Sequence, residues 1–358
     1  MAFNGANSAD FAMEALTQGF AMLKVKEITR QSKRLSQPAL STVSDFELLG
    51  RSITKCTVHS YHNKRREFVT SFGIPPIVMA KIWEMIEEHG TSPNPKMKKK
   101  HFLWGLYFLK VYPEMKIMGA SVKQDTELKR PDEKTIHKWI WIAIEAISDL
   151  HPNVIVWENR KTNDINHEDC LAGIDTIDCP FQQMLIPNIR KPGKKKRNKA
   201  LMAVKFNGPG LRYEIASALR SSDIVNISGP YLPGEMNDLS IFRAELKWML
   251  DEGEQVEADD IYVGEAPEFV KCQASSACIG NEESQSMRRR AQGRIEHLMG
   301  HLANWNCIDK PFKGHGSQEE RLEKHRKMFY ACAVIKQIAM EMGFNELWNL
   351  GDEYDSCK

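Results

Sequence analysis

The sequence predicts an α/β protein in two parts, an all-α segment followed by a mixed sheet flanked by helices. Three observations carry this reading. Between Ile77 and Leu150 apolar residues recur at helical spacing. From Gly173 onward, short β-rich runs separated by Gly and Pro give way to alternating strand and helix patterns. Within that second part, three acidic residues with apolar neighbours, Asp178, Asp259 and Glu296, fall on strand, strand and helix.

Length and composition leave room for this arrangement. A chain of 358 residues is long enough for two domains with their own cores. Its 42% hydrophobic and 27% charged residues are ordinary for a soluble globular protein. No run approaches the roughly 18 apolar residues of a membrane span, so no membrane partner is expected. The N-terminus lacks the basic-then-apolar layout of a secretory signal. Eight scattered cysteines suit a reducing compartment with mostly free thiols. The net charge of +2 does not announce a nucleic-acid partner, but its distribution is uneven. KMKKKH at 96–101 and RKPGKKKRNK at 190–199 are basic blocks, and no acidic residue lies between Gln182 and Lys205. Such blocks suit phosphate contacts or nuclear import, against the plainer reading of solvated loops.

In chain order, residues 1–65 form a polar arm with one candidate helix at about 8–30 and the rest loosely held. Residues 66–157 form the helical part. Ile77, Met79, Ile82, Trp83 and Ile86 make one stripe, closed by Gly90. HFLWGLYFLKVYP at 101–113 reads as a core helix ended by Pro113, and Gly119 marks a turn. Asp132 then opens a helix whose stripe is Ile136, Trp139, Ile140, Ala143 and Ile147. With Lys134, His137 and Lys138 at its start, this helix suits the recognition position of a helix-turn-helix unit. Pattern alone favours an ordinary bundle whose charges face water.

VIVW at 154–157 reads as a short strand, and residues 158–170 as a linker. The second part spans 171–345, with a tail at 346–358. Its strand candidates are 173–181, 200–206, 211–219 and 223–228, then a return to strand in EGEQVEADDIY. Leu239, Phe242, Leu246 and Met249 share a helical face at 236–250. Further helices are expected at 282–305, with Ile295, Leu298, Met299 and Leu302 inward, and at 318–342.

Three carboxylates on such elements suit a pair of divalent ions. Two metals held about 3.5–4 Å apart activate a water or a 3′-hydroxyl and stabilise the leaving oxygen of a phosphodiester. Ionised Asp and Glu supply the hard oxygen ligands that these ions take. Strand alternation leaves two choices open, because Asp175 and Asp178 cannot share a face, nor can Asp259 and Asp260. A zinc site from Cys272, Cys278, His297 and His301 is a weaker alternative, since the cysteine spacing is wider than usual.

The same residues resemble a known family. IDCP, which places Asp178 at a strand end before a turn, resembles the first acidic motif of the PIF/Harbinger-type transposases within the DDE superfamily of endonucleases. Asp259, Asp260, Ile261 and Tyr262 resemble its Asp–x–Gly–Tyr motif, with Ile261 in place of glycine. RIEHLMGHL supplies Glu296 and Gly300 behind Arg288–Arg290 and Arg294, and 36 residues separate Asp259 from Glu296, as in the family. His301 stands where Arg or Lys is more usual. GPYLPGEMNDLSIFR resembles the block between the first two acids and makes Asp238 a supporting residue that caps its helix.

The resemblance covers about 170–342 well and 75–157 loosely. It implies an RNase H-like (retroviral-integrase-type) sheet, with Asp178, Asp259 and Glu296 as catalytic residues that bind Mg²⁺ or Mn²⁺. Asp175 and Asp260 fall to supporting roles beside Asp238. It further implies double-stranded DNA as partner, with terminal inverted repeats cut and 3′-hydroxyls joined to target DNA in the nucleus. Lys194, Lys195, Lys196, Arg197 and Lys199, with Lys134, Lys138, Arg288 and Arg294, are the expected DNA contacts. A homo-oligomer on DNA is expected, and a separate DNA-binding helper protein fits the family. The alternative is a domesticated, non-catalytic DNA-binding or interaction protein.

Overall fold

Helix formation follows the caps and apolar stripes. In the computed structural model, residues 35–54, 68–121, 131–161, 170–183, 186–187, 195–196, 198–219, 221, 223–272, 282–312 and 314–344 are described. The candidate helix at 8–30 and the tail at 346–358 lie outside them. Within the expected arm, α1 (Leu40–Thr54) is a packed helix, burying Phe46 and Ile53. Helix α2 (Pro76–His89) has Pro at its start, where a missing N–H does no harm, and a left-handed Gly90 at its end. Helices α3 (Lys99–Val111) and α4 (Met115–Ser121) follow. Asp132 caps α5 (Glu133–Ser148) by accepting a 2.6 Å bond from Thr135 N. His101 of α3 stacks on Trp139 of α5 at 4.0 Å, which locks the two helices together.

The expected strand at 154–157 is not one. Pro152 starts a helical turn, α6 (His151–Val154), and Trp157–Lys161 is a 3₁₀ turn. Tertiary anchors override the β-rich composition here. The Trp157 indole N–H donates to Met249 O at 2.8 Å, and the Arg160 guanidinium lies 4.0 Å over that ring. Arg160 is 1% exposed and makes two bonds to Glu254, at 2.7 and 2.8 Å. Residues 158–161 are therefore part of the packed structure, not a linker.

Strand β1 (Cys170–Pro180) organises the six-stranded mixed sheet. Antiparallel to it runs β5 (Gly208–Ala218), which pairs in turn with antiparallel β6 (Ile224–Tyr231). On its other side β7 (Gln255–Glu257) runs parallel, followed by parallel β8 (Val270–Lys271). A separate two-stranded sheet joins β2 (Ile186–Pro187) to β3 (Lys195–Lys196). Only Met202–Ala203, β4, realises the strand expected at 200–206; residues 204–207 turn back into β5.

Period-2 alternation divides the sheet's residues between two cores. Ile177, Cys179, Tyr213 and Ile215 join one apolar cluster with α8 (Glu282–Ala303), α9 (Asn306–Asp309) and α10 (Gln318–Glu341). Ile174 and Ala216 join another with Phe242 and Tyr262. The first cluster also takes in the buried residues of α1–α6, so the two parts of the chain share one core. Helix α10 makes that junction. Phe329 stacks on Tyr213 at 3.8 Å, Gln337 accepts from Ile224 N at 2.8 Å, and Lys327 pairs with Glu145 of α5. As expected, Ile295, Leu298, Met299 and Leu302 of α8 point inward. Cys170, Cys179, Cys272, Cys307 and Cys332 are not in disulfide bonds. No helix among the described residues is long and apolar enough to cross a membrane.

Candidate active site

The acidic residues gather where β1 and β7 run side by side. Their parallel register sets Gly173 opposite Glu257. Two residues on from each lie Asp175 and Asp259, so the ladder brings these two acids to the same end of the strand pair. Strand β7 stops at Glu257, and Asp259 caps the 3₁₀ turn Asp260–Glu265 by accepting from Ile261 N at 3.0 Å. The strand expected through Tyr262 ends at this cap because the Asp side chain competes for backbone N–H groups. Asp259 is half-buried and Asp260 exposed.

Helix α8 brings the third acid. Gly173 lets it approach: a Cβ there would meet Ile295 Cδ1 at 2.3 Å. One turn before Glu296, the Gln292 side chain donates to Ala258 O at 2.9 Å, which ties this face of α8 to the backbone beside Asp259. Glu296 itself is exposed.

The charges act on one another. Burial lifts the Asp175 carboxyl to about 6, with the charges of Asp259 and Asp238 adding to the rise. A 2.7 Å hydrogen bond from Thr176 N and the charge of Lys205 oppose it. Asp259 is raised first by burial and then by Asp238, Asp260 and Glu296. The charges of Asp238 and Asp259 thus reach Asp175, and that of Glu296 reaches Asp259. Among the described residues, no three His, Cys, Asp or Glu side chains stand close enough to hold a metal ion.

Asp178, preferred on sequence, is engaged elsewhere. It sits opposite Arg212 in the antiparallel ladder and accepts two bonds from it, at 2.7 and 2.9 Å. Arg212 also places Nη1 2.5 Å from Asp238 Oδ1, out of line for a hydrogen bond. One guanidinium therefore neutralises two carboxylates, and the order of preference between Asp175 and Asp178 reverses. Asp238 does not cap its helix either. Asn237 does, accepting from Ser240 N at 2.8 Å, while Asp238 opens α7 (Asp238–Ala244) and is buried.

One group escaped the sequence reading. Glu214 on β5 is fully buried, and among the described residues neither carboxyl oxygen has a hydrogen-bond partner. Burial, then the charges of Asp238 and Glu245, lifts it to about 8. Tyr262 lies beside this acid, raised by burial and then by the Glu214 charge. The available signal was Arg212 and Glu214 two apart in an apolar strand, hence on one face. Because the folded state keeps the Glu214 proton where the unfolded chain has lost it, stability should fall as pH rises from about 4.5 to about 8. Glu214→Gln is expected to remove that slope and to stabilise the fold by on the order of 3 kcal/mol at pH 7. Thermal melts of both proteins across this window check it; identical slopes would count against a protonated, buried Glu214.

No protein-family model matches the chain, and no curated protein or solved structure matches it either.

The expected DNA contacts are dispersed. Lys134 and Lys138 are exposed at the start of α5, with Lys138 Nζ 5.9 Å from the Trp139 ring centre. Lys199 is exposed in the 3₁₀ turn before β4. Arg294 is exposed on α8 and donates to Leu219 O. Lys195 and Lys196 form the backbone of β3. Lys194 and Arg197 lie outside the described residues, as does Cys278 of the weighed zinc set. In the 96–101 block, Lys99 is bound to Asp45 at 2.6 Å and Lys100 lies over Trp104 at 5.8 Å.

Proposed function

We propose that this protein is a metal-dependent DNA endonuclease of the transposase kind, with an RNase H-like core. The observation that carries the reading is that Asp175 and Asp259 lie at one end of the β1–β7 strand pair, with Glu296 on the helix packed there through Gly173. A mixed sheet with helices on both faces supports the fold assignment.

The donor set suits Mg²⁺ or Mn²⁺. It consists of carboxylate oxygens, the hard ligands these ions take; the charge of Asp259 raises the Asp175 carboxyl, and the charge of Glu296 raises that of Asp259. Asp175, Asp259 and Glu296 would hold the ions, which supply the charge that stabilises attacking and leaving oxygens in phosphodiester cleavage.

The chain's own groups prepare that site. Arg212 holds Asp178 and Asp238 together behind the cluster, so Asp238 acts on Asp175 and Asp259 as a fixed charge. Ile261 N and Thr176 N orient Asp259 and Asp175 through hydrogen bonds. Gln292 sets the position of α8. Lys134, Lys138 and Lys199 offer phosphate contacts, so affinity for DNA should fall steeply with salt. Element ends and target DNA would be the substrates, in the nucleus, with a second copy of the chain or a DNA-binding helper as partner.

The test is nicking of supercoiled plasmid and of inverted-repeat duplexes with Mg²⁺, with Mn²⁺ and with EDTA. Cleavage is expected with either metal and none with EDTA, rising with pH through about 6 as Asp175 loses its proton. Salt-sensitive DNA binding without cleavage under any metal would favour the non-catalytic alternative.

A further inference from the structure

The turn between β4 and β5 has the build of a nucleic-acid contact. Val204 is 92% exposed, the highest value among the exposed large hydrophobic side chains of the described residues, and Phe206 is 39% exposed. Lys205 between them is exposed as well.

The turn is nevertheless shaped. Asn207 adopts a left-handed φ of 48°, and its N–H donates to Val204 O at 3.2 Å. The Phe206 ring lies down on two glycines of β5. A Cβ at Gly210 would stand 2.6 Å from the ring, and one at Gly208 would stand 3.3 Å from it. Gly210 pairs with Pro180, the last residue of β1, so the turn projects from the strand end toward which the acids lie. Ligands of open α/β sheets bind at that carboxyl end.

Two chemistries thus meet at that end of the sheet: a cation suited to phosphate and apolar side chains suited to base faces. We propose that the β4–β5 tip engages DNA beside the strand held at the acids. Val204 inserts against unstacked bases and the open edge of the Phe206 ring borders that contact, while Lys205 holds a backbone phosphate. The proposal rests on the nucleic-acid reading of the acid cluster and adds to it a preference for locally opened duplex.

The test measures binding in Ca²⁺ to a short duplex and to the same duplex with a central mismatched bubble. Wild type is expected to favour the bubbled duplex by about tenfold, since opening a paired base costs a few kcal/mol that the mismatch removes. Val204→Ser, at a position that is almost fully exposed, should lose most of that preference and keep its affinity for matched duplex. Phe206→Ser should do the same, and circular dichroism shows whether its strand still folds. Lys205→Gln should weaken both complexes and reduce the salt slope by about 1. Equal preference in wild type and Val204→Ser overturns the proposal. Nicking and bubble preference are independent readouts. Preference without nicking sinks the nuclease reading alone, and nicking without preference sinks the tip.

Discussion

Asp175→Asn is expected to lower Mg²⁺-dependent nicking by roughly three orders of magnitude while leaving the fold intact or slightly more stable. Asp175 is pushed up to about 6 by burial and by its anionic neighbours, so at neutral pH its charge opposes folding. Asparagine keeps the shape and the bond from Thr176 N but removes the charge that a divalent ion needs. The control is Asp178→Asn. Asp178 is bonded twice to Arg212, so this change should lower the melting temperature before it lowers activity per folded molecule. Steady-state nicking and thermal melts on both variants separate the two acids. A full loss in Asp178→Asn with wild-type stability, beside an active Asp175→Asn, would restore the preference read from the sequence.

The second large effect is expected at Arg212. Its guanidinium touches both Asp178 and Asp238, at 2.7 and 2.5 Å, and all three side chains are largely buried. Arg212→Met leaves two carboxylates in the interior without their cation. Breaking a buried pair in this way costs about 3–5 kcal/mol. The sign of the pH dependence follows from the same physics. Without the guanidinium two buried negative charges stand uncompensated, so the penalty is greatest at neutral and high pH and shrinks as acid removes the charge. Melting temperatures of wild type and variant should therefore converge toward acid pH. A constant gap from pH about 5 to about 8 would mean that the ion pair is not what the methionine removed.

What could be read in the sequence was what local physics decides. Asp132, Gly90 and the Ile295–Leu298–Leu302 stripe announce helix ends and a helix face through caps and periodicity, and the structure has them there. The paired region of β1 was legible from its apolar run. The choice between Asp175 and Asp178 was not. Period 2 says only that they face apart; which face meets β7 and α8 depends on a parallel register with residues some 80 positions away and on the absence of a side chain at Gly173. Arg160 looked like a linker residue for a similar reason, because its partner Glu254 comes from far along the chain. Glu214 was hidden because an acidic residue in a strand reads as solvent-facing until the covering elements, here α7 and the turn holding Tyr262, are known.

Asp175, Asp259 and Glu296 are expected to hold divalent cations once an ion draws the three carboxylates together. Titration of Mn²⁺ into the protein, followed by electron paramagnetic resonance of the free ion, measures this without any nucleic-acid substrate. Wild type should bind Mn²⁺, with affinity rising as pH passes about 6, and both Asp175→Asn and Asp259→Asn should weaken that binding at least tenfold. Unchanged Mn²⁺ affinity in either variant, with the fold intact, would contradict the account.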